Sequence, residues 1–262
     1  GIPGHGKSEF VDKVIVKLAE LHNWKFGVIA FETPPAIHVT NLCQKLTGKS
    51  FHYTKNPDNR ISPEGLDRAL SYINENFFFI NYDDIDLDID SILAKAAELV
   101  IRKGIKGFLL DPFNYVEFQT GKGETETQYI NKLLTKIIIF AKKYGVHVFL
   151  IAHPTKMPKV NGKYEIPTMQ NISGSAHFHA KTTNGVCVYR NFDTGIVEVH
   201  VQKVKWFWLG KIGTIEYNFD IETRQYYAIG KSIIPPMTET KSIVPSGFRP
   251  LPPTIDFNED TF

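Results

Sequence analysis

The first eight residues have the types and spacing of a phosphate-binding loop. Residues 1–8 read GIPGHGKS, a complete G-x-x-x-x-G-K-S pattern, and apolar residues at helical spacing follow it. Glycines in such a loop let backbone N–H groups surround phosphate oxygens, and the helix turns its positive dipole end towards them. A chance glycine-rich turn, the alternative, does not account for the helix. We therefore predict a site for ATP or another nucleoside triphosphate, with Mg²⁺, formed by Gly1, Gly4, His5, Gly6, Lys7 and Ser8.

Lys7, Ser8 and Asp111 have side chains suited to a magnesium-bound triphosphate. Lys7 can reach the β- and γ-phosphates, and the Ser8 hydroxyl can bind Mg²⁺. Asp111 follows residues 105–110, IKGFLL, which are typical of a buried strand. A carboxylate at this strand end has the Walker B form and can hold Mg²⁺ directly or through water. An isolated aspartate could instead start a turn, but the phosphate-binding loop favours the metal role.

Glu32 and His153 end two further segments that are predicted to be strands. Residues 26–31 read FGVIAF before Glu32, and residues 146–152 read VHVFLIA before His153. In an open α/β sheet, residues just beyond the carboxyl ends of the strands line the ligand crevice. Glu32 could therefore act as the general base that activates the attacking water, and Glu117 is the competing candidate for this role. His153 could sense the γ-phosphate. A surface role for Glu32 and a structural role for His153 are the alternatives.

Residues 153–211 carry a local excess of basic side chains. This window holds eight lysines and arginines against three acidic residues, a net charge of +5, whereas the whole chain has +2. Projecting lysines suit contact with a nucleic-acid backbone, although a solvated basic loop is the alternative. The aromatic residues 206–208 could stack on bases or pack in the core. We predict that Lys156, Lys159 and Lys163 contact DNA.

Predicted strands and helices alternate up to residue 153. The helices are expected to start at Ser8 and to cover residues 36–47, 63–76, 90–103 and 125–144, with Ser62 as an N-cap. This alternation predicts an α/β fold with a mainly parallel central sheet and helices on both faces. Three β-rich segments are expected beyond it, near residues 185–190, 196–205 and 212–219.

The composition narrows the class of protein. With 262 residues, 42% of them hydrophobic, the chain can bury a sizeable core, and a net charge of +2 excludes a histone-like basic protein. Two cysteines, Cys43 and Cys187, cannot form a disulfide framework or a four-cysteine zinc site, so a reducing compartment is expected. No apolar run approaches the roughly 18–20 residues of a membrane span. We expect a cytoplasmic protein, of a bacterium or a phage-infected cell, with no membrane partner.

The chain is predicted to hold one domain and a tail. Residues 1–230 form the domain, and residues 231–262, with six of the 15 prolines, form an extended and flexible tail. A phosphate-binding loop normally follows a strand, and no strand precedes Gly1. We therefore expect the first strand of the domain to lie upstream, in a longer protein.

Taken in order, these segments resemble the motifs of DnaB-like hexameric replicative helicases. The resemblance is stronger still to the phage primase–helicases and to helicases of the Twinkle type, and it covers roughly residues 1–220. It rests on GIPGHGKS, AFE, FLLDPFN, FLIAH, IPTMQNISGSAHF and QKVKWFWLGKIGTIEYN. The resemblance implies a RecA-like P-loop ATPase core, a ring that is a homohexamer, nucleotide sites between subunits, single-stranded DNA in the channel and a primase domain as a further partner.

The resemblance also implies roles for single residues. Glu32 matches the catalytic glutamate, Asp111 the Walker B aspartate, and His153 the γ-phosphate sensor. The loop that starts at Lys156 and residues 171–175 match loops that touch DNA, which adds Asn171, Ser173 and Gly174 to the candidates.

Two pairs of residues match positions at subunit interfaces. Lys203 and Lys205 fall where the family has a basic residue and an arginine finger that reaches a neighbour's nucleotide. Arg190 and Tyr217 fall near positions that sandwich adenine. Lys205 departs from the expected arginine, and lysine lacks the planar fork that bridges two phosphate oxygens. Residues 182–184, TTN, depart from the acidic pair of many relatives.

The sequence thus predicts an ATP-dependent replicative DNA helicase motor. A RecA-type recombinase or a clock-type regulatory ATPase on the same fold is the alternative, since the phosphate-binding loop and Asp111 do not separate them. A non-catalytic module with a partner-binding tail is a third hypothesis.

Overall fold

The computed structural model describes residues 1–52, 54, 56–81, 85–116, 125–155, 157–160, 163–172 and 174–230. Contacts along the chain separate a unit of Gly1–Ile229 from a unit of Gly230–Phe262. The predicted tail, residues 231–262, and the competing base Glu117 lie outside the described residues.

The first half of the chain forms a parallel sheet with a helix between most of its strands. Strands β1 (Phe26–Ala30), β2 (Phe77–Phe79), β3 (Gly107–Asp111) and β4 (His147–Leu150) lie in the order β2-β1-β3-β4. All three pairings are parallel, with Ala30 of β1 opposite Asp111 of β3. The carboxyl ends of β1 and β3 therefore meet at one edge of the sheet, as the predicted α/β fold requires.

Helices cover both faces of this sheet. The helices are α1 (Lys7–His22), α2 (Pro35–Thr47), α3 (Pro63–Asn76), α4 (Ile89–Lys103), α5 (Glu126–Tyr144) and α6 (Ser175–Lys181). One core cluster joins α1, α2 and α3 to Phe26, Val28 and Leu109, and a second joins α4, α5 and α6 to Phe108 and Leu110. Neighbouring residues of a strand point to opposite faces, so the uninterrupted apolar runs supply both cores.

Short sequence signals mark the starts of three helices. Ser62 caps α3 by accepting a hydrogen bond from the Gly65 N–H, with Pro63 at the first helical position. Thr125 and Gln128 form a capping box at α5. Asp88, the last residue before α4, accepts from two backbone N–H groups. The carboxylate of Asp88 therefore caps α4, and no group of three or more acidic, histidine or cysteine residues suited to a metal occurs among the described residues.

The second half of the domain is a separate antiparallel sheet. Strands β7 (Asn184–Arg190), β8 (Val197–Val204), β9 (Gly213–Asp220) and β10 (Gln225–Ala228) follow one another in the order β10-β9-β8-β7. Three of these strands confirm the β-rich segments predicted from the sequence; β10 was not predicted. A small hairpin of β5 (Lys159–Val160) and β6 (Lys163–Tyr164) lies in the segment expected to be a loop.

Among the described helices, none is long and apolar enough to cross a membrane.

Candidate active site

The phosphate-binding loop leads directly into α1 through two glycines in a left-handed conformation. Gly4 has φ of 78° and Gly6, the N-cap of α1, has φ of 86°. Residues with a Cβ rarely adopt these angles, so the pattern needs glycine at both positions. No side chain among the described residues caps α1. Its first N–H groups are therefore available to an anion, which is the arrangement that phosphate binding requires.

The Lys7 side chain lies inside this loop. Its Nζ donates to the Ile2 carbonyl at 3.0 Å and lies 3.2 Å from Nδ1 of His153. Burial lowers the pKa of Lys7, and the carboxylates of Asp111 and Glu32 partly oppose this effect. The ammonium is thus held close to the carboxyl ends of β3 and β4, where it can meet a bound phosphate.

Asp111 is the buried carboxylate of the site. Burial raises the pKa of Asp111 to about 6, against the effect of a hydrogen bond with Ser8. The neighbouring carboxylates of Asp12 and Glu32 raise the pKa further, and His38 lowers it. A divalent cation would favour the charged form of this carboxylate, and Ser8 adds a hydroxyl oxygen beside it. The pair therefore fits Mg²⁺ that is shared with phosphate oxygens.

Glu32 and Lys7 are linked through His153. Nε2 of His153 lies 3.7 Å from Oε1 of Glu32, whose side chain is 48% exposed. Because the Lys7 ammonium can only donate, Nδ1 of His153 is the acceptor and Nε2 carries the proton that faces Glu32. Burial, together with the Lys7 charge, lowers the pKa of His153, whereas Glu32 raises it. A neutral imidazole thus joins the phosphate-binding lysine to a solvent-accessible carboxylate.

Backbone hydrogen bonds fix the strand ends that carry these side chains. The Phe31 N–H donates to the Asp111 carbonyl at 2.9 Å, and the Phe113 N–H donates to the Ile151 carbonyl at 2.9 Å. Oδ1 of Asn114 accepts from the His153 N–H at 3.2 Å. Our sequence prediction did not include Asn114, although it stands in the FLLDPFN motif three residues after Asp111.

His5 is buried against the end of β7. Its ring is buried between Tyr189 and Phe192, with ring centroids 5.0 and 5.1 Å away. Nδ1 accepts a hydrogen bond from the Arg190 N–H at 3.0 Å. The His5 side chain therefore anchors the phosphate-binding loop to the end of β7, a contact that spacing in the sequence does not indicate.

Arg190 and Tyr217 lie in one aromatic cluster beside α1. The Arg190 guanidinium lies over the rings of Phe192 and Phe219, at 5.7 and 5.8 Å. Tyr217 contacts Phe10 and Tyr226 instead, with centroids 6.0 and 5.9 Å away. Burial raises the pKa of Tyr217. The structure brings both predicted base-binding residues near the loop without placing one directly over the other.

The predicted DNA-contacting residues are spread over three segments. Lys156 and Ser173 lie outside the described residues. Lys159 is in β5, with its Nζ 5.0 Å from the Tyr164 ring centroid, and Lys163 is in β6. Asn171 accepts from the Thr168 N–H at 2.7 Å through its side chain, which gives it a local structural contact. Gly174 is the N-cap of α6, with φ of 69°.

Lys203 and Lys205 lie at the far end of β8 from the phosphate-binding loop. Lys203 pairs with Gly185, whereas Arg190, the residue next to His5, pairs with Val197. Six residues of strand separate the two ends, about 20 Å at a rise of roughly 3.3 Å per residue. Nζ of Lys203 donates to the His179 carbonyl, and Nζ of Lys205 lies 5.5 Å from the Trp206 ring centroid. Gly1 lies beside Val188 and Cys187 in the middle of β7, and no contact among the described residues joins Lys203 or Lys205 to residues 1–8.

A curated plant protein contains a segment similar to this chain. The chain is 34% identical over 251 residues to the Twinkle homolog protein, chloroplastic/mitochondrial, of Arabidopsis thaliana. The match covers 92% of this chain and 35% of that relative, so the chain spans about a third of its length. No family model matches the chain.

Two solved structures share the fold. The first, described as an ATPase domain, superposes with a TM-score of 0.71 at 16% identity, over 87% of this chain and 82% of that one. A DnaB-like replicative helicase, described with its interactions with primase, gives 0.69 at 15% identity, over 86% and 55%. The predicted RecA-like architecture is confirmed by this likeness. Over the region matched, the chain is therefore similar in sequence to a Twinkle homolog and in fold to ATPase domains of DnaB-like helicases.

Proposed function

We propose that this domain hydrolyses ATP or another nucleoside triphosphate and uses the energy to move along single-stranded DNA as a replicative helicase motor. One observation carries the proposal: Lys7 lies 3.2 Å from one ring nitrogen of His153, the other ring nitrogen lies 3.7 Å from Glu32, and Ser8 lies beside the buried Asp111. This arrangement has the phosphate ligand, the metal ligands and the base that hydrolysis needs.

Each group has a role in this mechanism. The N–H groups of the loop and the Lys7 ammonium hold the β- and γ-phosphates, while Ser8 and Asp111 hold Mg²⁺. The metal, when bound, neutralises charge that develops on the phosphate oxygens. Glu32, half exposed at the strand end, orients the attacking water and accepts its proton. His153 senses the γ-phosphate through Lys7, and its Nε2 faces the Glu32 carboxylate.

The assembly is part of the proposal. Lys203 and Lys205 have no described contact with residues 1–8 of their own chain, so we assign them to the nucleotide of a neighbouring subunit in a ring, a homohexamer by family resemblance. The lysines of β5 and β6, with Lys156, Asn171, Ser173 and Gly174, would contact the DNA backbone.

The solved DnaB-like relative is described with primase, and a primase domain is proposed here as a partner too. The name of the plant relative describes that protein as chloroplastic or mitochondrial. We therefore propose such a compartment as an alternative to the cytoplasm for this protein.

Hydrolysis measured with and without single-stranded DNA tests the proposal in the assembled protein. We expect DNA to stimulate turnover, Lys7→Ala to abolish nucleotide binding, and Glu32→Gln to lower kcat by about 100-fold or more while binding persists. Glu98→Gln, at a partly exposed carboxylate of α4, is the matched control and should turn over normally.

Three outcomes would contradict the proposal. Turnover that DNA does not stimulate would remove the motor function. Strand exchange without unwinding would favour a RecA-type recombinase. Unchanged turnover in both Lys7→Ala and Glu32→Gln would favour the non-catalytic module.

A further inference from the structure

A buried polar pair joins α1 to the start of α2 behind the nucleotide site. Nε2 of His38 lies 2.8 Å from Oδ1 of Asp12, and the two side chains are 3% and 4% exposed. Asp12 stands four residues after Ser8, one helical turn further along α1. His38 is in the first turn of α2, six residues after Glu32. The pair therefore connects the element that carries Ser8 to the segment that carries Glu32.

Asp12 is the polar contact that holds the His38 ring. Nδ1 of His38 is buried without a hydrogen-bond partner among the described residues, and the ring meets Phe79 edge-on, with centroids 5.4 Å apart. Burial alone would lower the pKa of His38, but the Asp12 charge and hydrogen bond, with Asp111, raise it above the ordinary value. A buried carboxylate without its partner would be costly, so the pair resists separation.

The segment from Glu32 to His38 is short and stiff. It reads ETPPAIH, and the two prolines fix φ at consecutive positions. The His38 N–H donates to the Pro34 carbonyl at 3.0 Å, which closes the first turn of α2 on this segment. A displacement of the His38 ring is therefore expected to displace Glu32 by a similar distance. Misplacing a catalytic group by about 1 Å can cost on the order of 100-fold in rate.

From this geometry we infer that His38 is a positioning residue for Glu32: bound to Asp12, it sets the distance between the Glu32 carboxylate and the phosphate-binding loop. The inference rests on the proposed function, because it concerns the catalytic step assigned to Glu32.

A second ion pair between the same helices, with a buried lysine and a partly exposed glutamate, supplies a matched control. Nζ of Lys45 lies 2.6 Å from Oε2 of Glu9, and the Lys45 side chain has no exposed surface. Lys45 is in the last turn of α2, at the opposite end from Glu32. Its loss would weaken the packing of α1 on α2 without moving the segment that carries Glu32.

Steady-state hydrolysis in the assembled protein with single-stranded DNA tests the inference. We expect His38→Leu to lower kcat by about 10- to 100-fold with KM for ATP within about twofold, since the phosphate-binding loop is intact. His38→Gln places an amide where Nε2 was, so it should restore most of the wild-type kcat. Lys45→Met should lower the melting temperature and leave kcat unchanged. If His38→Leu does not fold, His38→Asn replaces it, because its shorter side chain is polar but cannot reach Asp12.

The outcomes distinguish a failure of this inference from a failure of the proposed function on which it rests. Wild-type turnover with an unchanged kcat in His38→Leu overturns the inference alone. Equal losses of kcat in His38→Leu and Lys45→Met, or no recovery in His38→Gln, also overturn it, because they indicate general packing. An absence of turnover in the wild-type protein overturns the proposed function, and the inference with it.

Discussion

Asp111 combines burial with a negative charge that a bound cation would stabilise further. Its carboxylate is surrounded by Ser8, Glu32 and Asp12, and its pKa is raised to about 6. Before metal binds, the carboxylate of Asp111 is less stable in the folded protein than in the unfolded chain, and Mg²⁺ binding would offset this cost. The same residue therefore couples metal binding, pH and stability.

The stability of the metal-free protein should reveal this coupling. A group whose pKa is higher in the folded than in the unfolded protein stabilises the fold at low pH, and that contribution is lost as pH rises towards the folded pKa. Asp111→Asn should therefore have little effect on the free energy of unfolding below pH ~4 and should stabilise by about 1–3 kcal/mol above pH ~6. Urea denaturation with a chelator across this range measures it. A constant difference at all pH values would contradict the prediction.

At the scale of secondary-structure elements, local sequence signals predict the starts of helices correctly but do not predict the shortest strands. Ser62 and Pro63 predict the start of α3, which the structure confirms, because an N-cap and a proline at the first position act within one turn. The β5–β6 hairpin was expected to be a loop, since two-residue strands leave no periodic pattern. Contacts between distant residues, such as His5 with Arg190 and Asp12 with His38, are not encoded in spacing at all.

The α4 cap gives a local prediction with a nearby control. Oδ1 of Asp88 accepts from the N–H groups of Asp90 and Ser91 at 2.8 and 3.1 Å, which satisfies two donors at the helix start. Asp88→Ala should lower the free energy of unfolding by about 1 kcal/mol, the usual contribution of such a cap. Asp86→Ala, at an exposed aspartate two residues earlier, should change it by less than about 0.5 kcal/mol. Urea denaturation compares them, and equal effects would show that Asp88 acts only through its charge.

At the scale of the whole molecule, the candidate functional residues fall into two groups, one on the parallel sheet and one on the antiparallel sheet. The carboxyl ends of β1 and β3 hold Glu32 and Asp111, whereas the far end of β8 holds Lys203 and Lys205. Motif order predicted the residues of both groups, and a single chain brings only the first group together around Lys7. In the proposed ring, the second group would act on the nucleotide of a neighbouring copy.

Mixed rings test whether Lys205 acts across the subunit boundary. Glu32→Gln removes the base from a subunit's own site, and Lys205→Ala would remove the finger offered to its neighbour, so rings of either variant should be inactive. In rings assembled from equal amounts of both variants, a Lys205→Ala subunit keeps Glu32, and a neighbouring Glu32→Gln subunit keeps Lys205. If the two residues act across the boundary, such a pair forms a complete site. Random assembly places this pair at about a quarter of the sites. Turnover of the mixture above that of both pure variants would establish action in trans. If Lys205 instead served its own chain, or had no part in hydrolysis, the mixture would show only the average of the two pure variants.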